Sequence, residues 1–435
     1  MSNGSFWFGP YGFLYKKSAG AGGRKNPSLG LICNQPTYLY NKYKPGFSGI
    51  GASNISNRRA KNRLATVCGC GKFYNYLGYY SHNPSGFFPY PNPYPSIRYF
   101  TTPSTEQVSG WQGIRYNHTS NTYLFSGTNT SKQAVLYNGS VQCNILNNYT
   151  TFSYPGTTVT GTSAYGPNII YGTNNINIVG CYNDTSYFPT NLNLGFIYTG
   201  SITNFSNSSN YKTICVNISY CTFTYVHSVM GNYAVLCTTD SNGFAESYLY
   251  NLTTESFTQI QVPNALTTTA YGIWTNNNNI YTIVGGYSTS KKYLITEIYN
   301  TNLNPPQPYP IGLGYIITYN ATTNTFYNFT SVAYPSNSLY LTHIEGISGI
   351  YNESNTYSIV TTTENNSGSL LANFTKVYAT NTTYNVLTNW ININYPNNLF
   401  NVGDSCANYI VCGMTAPNII ESSKTFTFQA AITPY

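Results

Sequence analysis

The sequence predicts an almost entirely β protein: a six-bladed β-propeller that follows an extended, mostly irregular arm with one short basic helix. Three observations lead to this prediction. The polar residues are mostly Asn, Thr and Ser, and charged residues make up only 7% of the chain, a composition that favours strands and turns over helices. A four-strand pattern recurs along most of the chain. Positive charge is concentrated in the first hundred of the 435 residues.

The repeat is most visible in two segments, TAYGIWTNNNNIYTIVGGYS (269–288) and SAYGPNIIYGTNNINIVGCY (163–182). Each begins with a small residue and Tyr-Gly, continues through an Asn-rich turn, and ends in an alternating apolar run. Weaker copies place the residue that opens the second strand at intervals of about 50 residues, a period typical of propeller blades. The six anchor residues are Tyr123, Ile176, Tyr233, Tyr281, Tyr357 and Tyr409.

Two further strand-like pieces follow each anchor, for example AVLYNGSV (134–141) and TTFSYP (150–155) in the first copy. One four-stranded sheet cannot bury both of its faces, whereas radial stacking buries each sheet against the next. A β-sandwich would explain the alternation of apolar residues but not the repeat. Six copies therefore predict six blades.

The ends of the chain predict how the ring closes. The last copy stops before an obvious fourth strand, and PSIRYFTTP (95–103) is strand-like, so we expect this segment to supply the missing strand and remove the open edges. The predicted domains are an arm over residues 1–94 and a propeller over residues 95–435, with blades from about residue 111.

The pattern of the repeat resembles the HAF-type repeats of extracellular proteins. An apolar strand with Gly, then FIYTGSI or VLYNGSV, then AYGI with an Asn-rich turn carry the resemblance, which covers residues 111–435. It implies a propeller with an outward-facing role and transfers no catalytic residue.

The first hundred residues differ in charge from the rest. They contain 12 of the 19 Lys and Arg and no Asp or Glu, whereas residues 101–435 carry 7 basic and 11 acidic residues. Only residues 54–67 are predicted to be helical, because Ala60, Leu64 and Val67 share one helical face. The cations of the predicted docking segment are Arg58, Arg59, Lys61, Arg63 and Lys72.

Several motifs of this arm resemble the N-terminal arms of virion-type proteins of giant DNA viruses, namely FGPYGFLYKK, GAGGRKNP, CNQPTYLYNKYKPG, SNRRAKNRLAT and CGCGKF. The resemblance implies a structural virion protein, assembled in the host cytoplasm. The arm would dock onto capsid or other virion proteins. The propeller would then be displayed for assembly or for binding a host-surface glycan or receptor.

Two other interpretations of the basic arm stay open. Nucleic acid is a less favoured partner, because the cations can neutralise phosphates and nearby rings can stack on bases, but no base-reading fold surrounds them. The other interpretation is a basic face that is exposed to solvent and has no partner.

Seven polar residues form the candidate binding site at the propeller channel. Six of them stand at or near the position before a small residue in the first strand of a copy, and first strands line the channel. The residues are Gln112, Tyr165, His227, Tyr271, His343, Glu345 and Asp404. Three functions fit them: a satisfied polar lining around water, a ligand or glycan site, and an active site in which Glu345 and His343 perform acid–base chemistry.

Known catalytic patterns are not found. The sequence has no G-x-S-x-G, H-E-x-x-H or P-loop motif, and residues 111–435 contain a single Arg, Arg115. No two carboxylates stand at short spacing, which disfavours glycosidase chemistry. We therefore expect a protein that is not an enzyme and needs no cofactor. The alternative is a propeller hydrolase or lyase that acts on cell-surface glycans.

Neither a metal site nor a membrane segment is expected. Cys68 and Cys70, with Cys33 and His82, have a C-x-C spacing that suits zinc less well than C-x-x-C, so a disulfide or free thiols are favoured. No apolar run approaches about eighteen residues, so no transmembrane segment is predicted. The start of the chain also lacks the apolar segment of a secretory signal.

We expect the arm to hold the protein on an assembled particle largely by charge. Replacing the four cations of the predicted helix by Ser should leave the propeller folded and reduce incorporation into particles, because contacts with an acidic surface are lost. The free arm peptide should bind capsid protein more tightly than DNA of equal charge at physiological salt. A clear preference for DNA would identify the arm as a nucleic-acid tether instead.

Overall fold

The computed structural model describes residues 7–8, 14–15, 95–103, 107–186, 192–216, 224–240, 244–275, 279–289, 312–335, 339–365, 369–417 and 426–433. The described part of the first 94 residues is one small sheet, formed by β1 (Trp7–Phe8) and β2 (Leu14–Tyr15). The predicted basic helix with its cations, and Cys33, Cys68, Cys70 and His82, lie outside the described residues.

The first four repeats form separate four-stranded antiparallel sheets, as expected for propeller blades. β3 (Ser96–Phe100) precedes them. The first blade comprises β4 (Val108–Asn117), β5 (Thr122–Asn129), β6 (Ala134–Gly139) and β7 (Tyr149–Phe152). The second comprises β8 (Val159–Ile169), β9 (Asn175–Asp184), β10 (Leu192–Ser201) and β11 (Tyr211–Ile214). The third comprises β12 (Thr224–Met230), β13 (Tyr233–Thr239), β14 (Ala245–Asn251) and β15 (Phe257–Gln259). The fourth comprises β16 (Thr267–Thr275), β17 (Ile280–Ser288), β18 (Leu313–Asn320) and β19 (Thr325–Val332).

The last two repeats share one nine-stranded sheet that also contains β3. Its strands from the fifth repeat are β20 (Leu339–Ile350), β21 (Glu353–Asn365), β22 (Leu370–Ala379), β23 (Tyr384–Val386) and β24 (Ile391–Asn392). Those from the sixth repeat are β25 (Phe400–Ala407), β26 (Ile410–Ala416) and β27 (Phe426–Thr433). The all-β propeller is confirmed, but the prediction of six separate blades is corrected to four separate blades and this larger sheet.

The outer edge of β22 explains why the two repeats are joined. Instead of one continuous fourth strand, two short strands pair with it: β23 with residues 377–379 and β24 with residues 373–374. The beginning of β22 is left open, and Leu370 pairs there in parallel with Phe400, the first residue of β25. One bridge therefore merges the sheets.

The first strands of the repeats form a closed ring around the channel. β4, β8, β12, β16, β20 and β25 each contact the next, and β25 contacts β4. A hydrophobic cluster fills each interface between successive repeats. The cluster that joins the last repeat to the first packs Ile410 and Cys412 with Trp111 and Phe125. The ring is thus closed by apolar burial as well as by strand pairing.

β3 lies beside β27 at the edge of the nine-stranded sheet. Its Tyr99 packs on the cluster between the fifth and sixth repeats and donates a hydrogen bond from its hydroxyl to the carbonyl of Asn394, at 2.9 Å. Just after β3, the Thr102 hydroxyl accepts from Trp111 Nε1 at 2.9 Å and from Thr427 Oγ1 at 2.6 Å. These contacts attach the segment to both the first and the last repeat. The boundary at residue 94 stays a prediction.

Helical structure is minor. Within the described ranges it consists of two 3-10 turns, Leu146–Asn148 and Ser208–Asn210. In the same ranges there is no helix with the length and apolar character needed to cross a bilayer.

Neighbouring first strands approach so closely that glycine is required where they meet. A Cβ atom on Gly113 would lie 2.8 Å from Cα of Gly166, and one on Gly166 would lie 2.9 Å from Cα of Ser228. A Cβ on Gly346 would lie 2.8 Å from Cα of Ser405. Because each obstacle is backbone of the adjacent first strand, no rotation of a side chain can relieve these contacts.

We expect Gly346→Ala to lower the free energy of unfolding by about 3 kcal/mol, because the added methyl group forces β20 and β25 apart. Gly161→Ala is the matched control, since the nearest atoms to its Cβ would be Oδ1 of Asn183, at 3.3 Å, and Cβ of Lys132, at 3.5 Å. It should change stability by less than about 1 kcal/mol. Chemical denaturation measures both, and equal stability of the two variants would contradict a tightly closed ring.

Candidate functional site

A β-bulge interrupts each first strand at the residue selected from the sequence. In β12, Val226 and Ser228 pair with consecutive residues of β13, which leaves His227 without a place in the ladder. The same irregularity occurs in the other first strands, and in β8 it spans two residues. The bulged residues are Gln112, Tyr165, His227, Tyr271, Glu345 and Asp404. Bulges redirect side chains and are frequent beside active sites.

Five of the bulged residues line one small cavity in the channel. They are Gln112, His227, Tyr271, Glu345 and Asp404. The cavity volume is about 10 Å³, which leaves room for about one water molecule. Glu345 is 3% exposed and Asp404 is 9% exposed, so two carboxylates are buried at the same place.

The other two predicted residues are buried beside this cavity and do not line it. The Tyr165 ring lies 5.1 Å from the His227 ring, and the His343 ring lies 4.5 Å from the Tyr271 ring. His227 and Tyr271 are stacked at 3.8 Å. The four rings form a continuous chain across three interfaces of the propeller. The structure therefore gathers all seven predicted residues, while their role in binding stays a prediction.

The predicted pair of Glu345 and His343 is in contact. His343 Nδ1 lies 3.1 Å from Glu345 Oε1, although the angle is outside that of a hydrogen bond. His343 Nε2 lies 2.5 Å from the Thr269 hydroxyl, so both ring nitrogens have neighbours. The second carboxylate oxygen, Glu345 Oε2, is buried and has no hydrogen-bond partner among the described residues.

Burial determines the protonation of the rings around the carboxylates. It lowers the pKa of His227 to about 3, with a smaller contribution from His343, so His227 is neutral near pH 7. Burial also raises the pKa of Tyr271 well above its usual value, and Glu345 adds to this effect. Tyr271 therefore keeps its proton and can donate a hydrogen bond.

Arg115 lines the same cavity and was not among the predicted site residues. Its Nη2 donates to the Ser228 hydroxyl at 3.0 Å and to the Ile273 carbonyl at 3.4 Å, so it ties together three first strands. Burial lowers its pKa to about 10. No described carboxylate is within ion-pair distance of it. Its position three residues after Gln112, as the single Arg of residues 111–435, was the signal that could have identified it.

Comparisons with known proteins give only distant likenesses. No protein-family model matches the sequence, and no curated protein matches it. Among solved structures, AofleA from Arthrobotrys oligospora is 9% identical over 78% of this chain and 87% of its own, with a TM-score of 0.42. The GH93 alpha-L-arabinofuranosidase of Fusarium graminearum, in complex with arabinobiose, is 11% identical over 77% and 96%, with a TM-score of 0.39. The GH43_1 enzyme from Xanthomonas citri, complexed with xylotriose, is 7% identical over 64% and 89%, with a TM-score of 0.35.

These likenesses correct one expectation from the sequence. The chain was predicted not to be an enzyme, yet the similar solved structures include an arabinofuranosidase, a beta-xylosidase and an arabinanase. The prediction of a non-enzymatic protein is therefore withdrawn. With TM-scores below 0.5, the likenesses transfer no substrate and no catalytic residue to this chain.

Proposed function

We propose that the protein is a glycan-acting hydrolase or lyase whose reacting groups are the buried carboxylates of the channel. The observation that supports this proposal best is the placement of Glu345 and Asp404 around one cavity, with Glu345 Oε2 lacking a hydrogen-bond partner among the described residues. A buried carboxylate oxygen without a partner costs about 1 to 3 kcal/mol or more. Such groups are retained where they react.

Glu345 is the proposed acid–base residue. The contact between its Oε1 and His343 restricts the carboxyl group, because His343 is itself restrained by Thr269. Oε2 then remains to exchange a proton with the glycosidic oxygen. The cavity holds about one water molecule as it stands, so the proposal requires the channel to widen before a sugar can reach Oε2. In this proposal His343 is a positioning residue that acts through Glu345.

Asp404 is the proposed second carboxylate. In glycoside hydrolysis one carboxyl group protonates the departing oxygen as the C–O bond breaks, and the other takes a proton from water or attacks the sugar. Arg115 lines the same cavity and supplies a fixed positive charge beside the reacting groups. Tyr271 provides a hydroxyl that stays protonated.

The role in a virus particle is a separate proposal. It rests on the positive charge of the first hundred residues and on the resemblance of the arm, and it does not depend on whether the channel is catalytic. The protein could be displayed on a particle and also cleave a glycan of the host surface.

The proposal is tested by screening the full-length protein against aryl glycosides and algal and plant polysaccharides, with products measured by chromatography. Glu345→Gln should lower kcat by at least about 100-fold, because the side chain can no longer transfer a proton. Glu353→Gln is the matched control, since Glu353 belongs to the same repeat but pairs with Lys376 away from the channel cavity. It should leave kcat unchanged. Turnover that persists in Glu345→Gln, or a failure of the wild-type protein to cleave any glycan, contradicts the proposal.

A further inference from the structure

A second and larger cavity lies where the first strands turn into hairpins. Its volume is about 250 Å³. Four of the six first strands or their hairpins contribute to it, and the second and third do not, so it lies to one side of the channel end. We call it the hairpin pocket, and its lining residues include Tyr116, His118, Trp274, Ser348, Tyr351 and Asn408.

Contacts between hairpins build the pocket. The backbone N–H of Tyr351 donates to Asn408 Oδ1 at 3.0 Å, and the backbone N–H of Asn408 donates to Ser348 Oγ at 2.8 Å. The His118 ring lies 5.2 Å from the Tyr351 ring and joins the first hairpin to the fifth. Because backbone groups make two of these contacts, the pocket is preformed and does not depend on the Tyr351 side chain for its shape.

The lining chemistry indicates the class of ligand. Aromatic rings alternate with amide and hydroxyl groups, and none of the described residues that line the pocket is Asp, Glu, Lys or Arg. The Tyr351 ring is 65% exposed at the rim, so a ligand could cover apolar surface that now faces water. The C–H face of a pyranose packs on an aromatic ring while its hydroxyls bond to amides. An uncharged sugar residue matches both features.

The pocket is separate from the buried carboxylates. Trp274 lies three residues after Tyr271 in β16, which places it about 10 Å further along the channel. The Arg115 guanidinium lies 5.6 Å from the centre of the Trp274 ring, on the way to the small cavity. A sugar residue in the hairpin pocket therefore does not touch Glu345 or Asp404, and the pocket holds a glycan without reacting with it.

We propose that the hairpin pocket is a non-catalytic binding site for one neutral sugar residue of a glycan. The choice of a glycan rests on the proposed function. The existence of the pocket and the chemistry of its described lining do not depend on that function.

The test uses isothermal titration calorimetry of the full-length protein with xylotriose, cellotriose, maltotriose and mannotriose, and with trigalacturonate as an acidic probe. At least one neutral trisaccharide should bind, and Tyr351→Ala should weaken its binding about tenfold by removing the ring while keeping the backbone contact to Asn408. Tyr171→Ala is the matched control: Tyr171 is 95% exposed in the β8–β9 hairpin and does not line the pocket. It should leave the affinity unchanged. His118→Ala should weaken binding as a second variant, since its ring lines the pocket beside Tyr351.

The proposal is overturned if no neutral trisaccharide binds, if trigalacturonate binds more tightly than all of them, or if the Tyr171 and Tyr351 variants lose affinity equally. Measurements on the Glu345→Gln variant separate this proposal from the catalytic one. Unchanged turnover in Glu345→Gln together with lost binding in Tyr351→Ala refutes the catalytic role of Glu345 and supports the pocket. Lost turnover in Glu345→Gln together with unchanged binding in Tyr351→Ala refutes the pocket alone.

Discussion

The close approach of neighbouring first strands is the constraint on which the rest of the structure depends. Six strands meet around a channel so narrow that a methyl group on Gly113, Gly166 or Gly346 would collide with the backbone of the next strand. A residue with a small side chain therefore follows each of the six bulged residues selected from the sequence, and the set is Gly113, Gly166, Ser228, Gly272, Gly346 and Ser405. The residue before each of them is displaced from the ladder, and five of the six displaced side chains line the channel cavity. Packing of the ring and placement of the polar groups are thus two results of one local arrangement.

The same narrowness removes the polar groups from water. Desolvation lowers the pKa of His227 and of Arg115 and raises that of Tyr271. Each of these shifts records that burial opposes the charged form. Among the described residues, Arg115 is held by a hydroxyl and by backbone carbonyls and not by a carboxylate. Burying an Arg and two carboxylates around one cavity costs stability, and such costs are usually retained where the groups have a function.

The sequence predicted the features that depend on local pattern. The anchors Tyr123, Ile176, Tyr233, Tyr281 and Tyr409 lie within one residue of the start of second strands, and Tyr357 is the fifth residue of β21, because alternation and turn residues act within one hairpin. The channel residues could be selected from the sequence because each stands before a small residue in the first strand of a repeat.

Arg115 and Ser228 were missed, since their importance arises from a contact across the channel between residues 113 positions apart. The fusion of the last two repeats was also missed, because the single pair of Leu370 and Phe400 has no signature in either strand. The sequence-based argument against an enzyme considered only carboxylates close together in sequence, whereas Glu345 and Asp404 line one cavity because their first strands, β20 and β25, are neighbours in the ring.

The most direct test of the account is a crystal structure of the Glu345→Gln protein with a glycan that the wild-type protein cleaves. The account predicts density for a glycosidic oxygen within about 3.5 Å of the residue 345 side chain and close to Asp404. The rings of His227 and Tyr271 should border the same sugar. Glycan density confined to the outer strands of the blades, with the channel cavity holding only water, would contradict it.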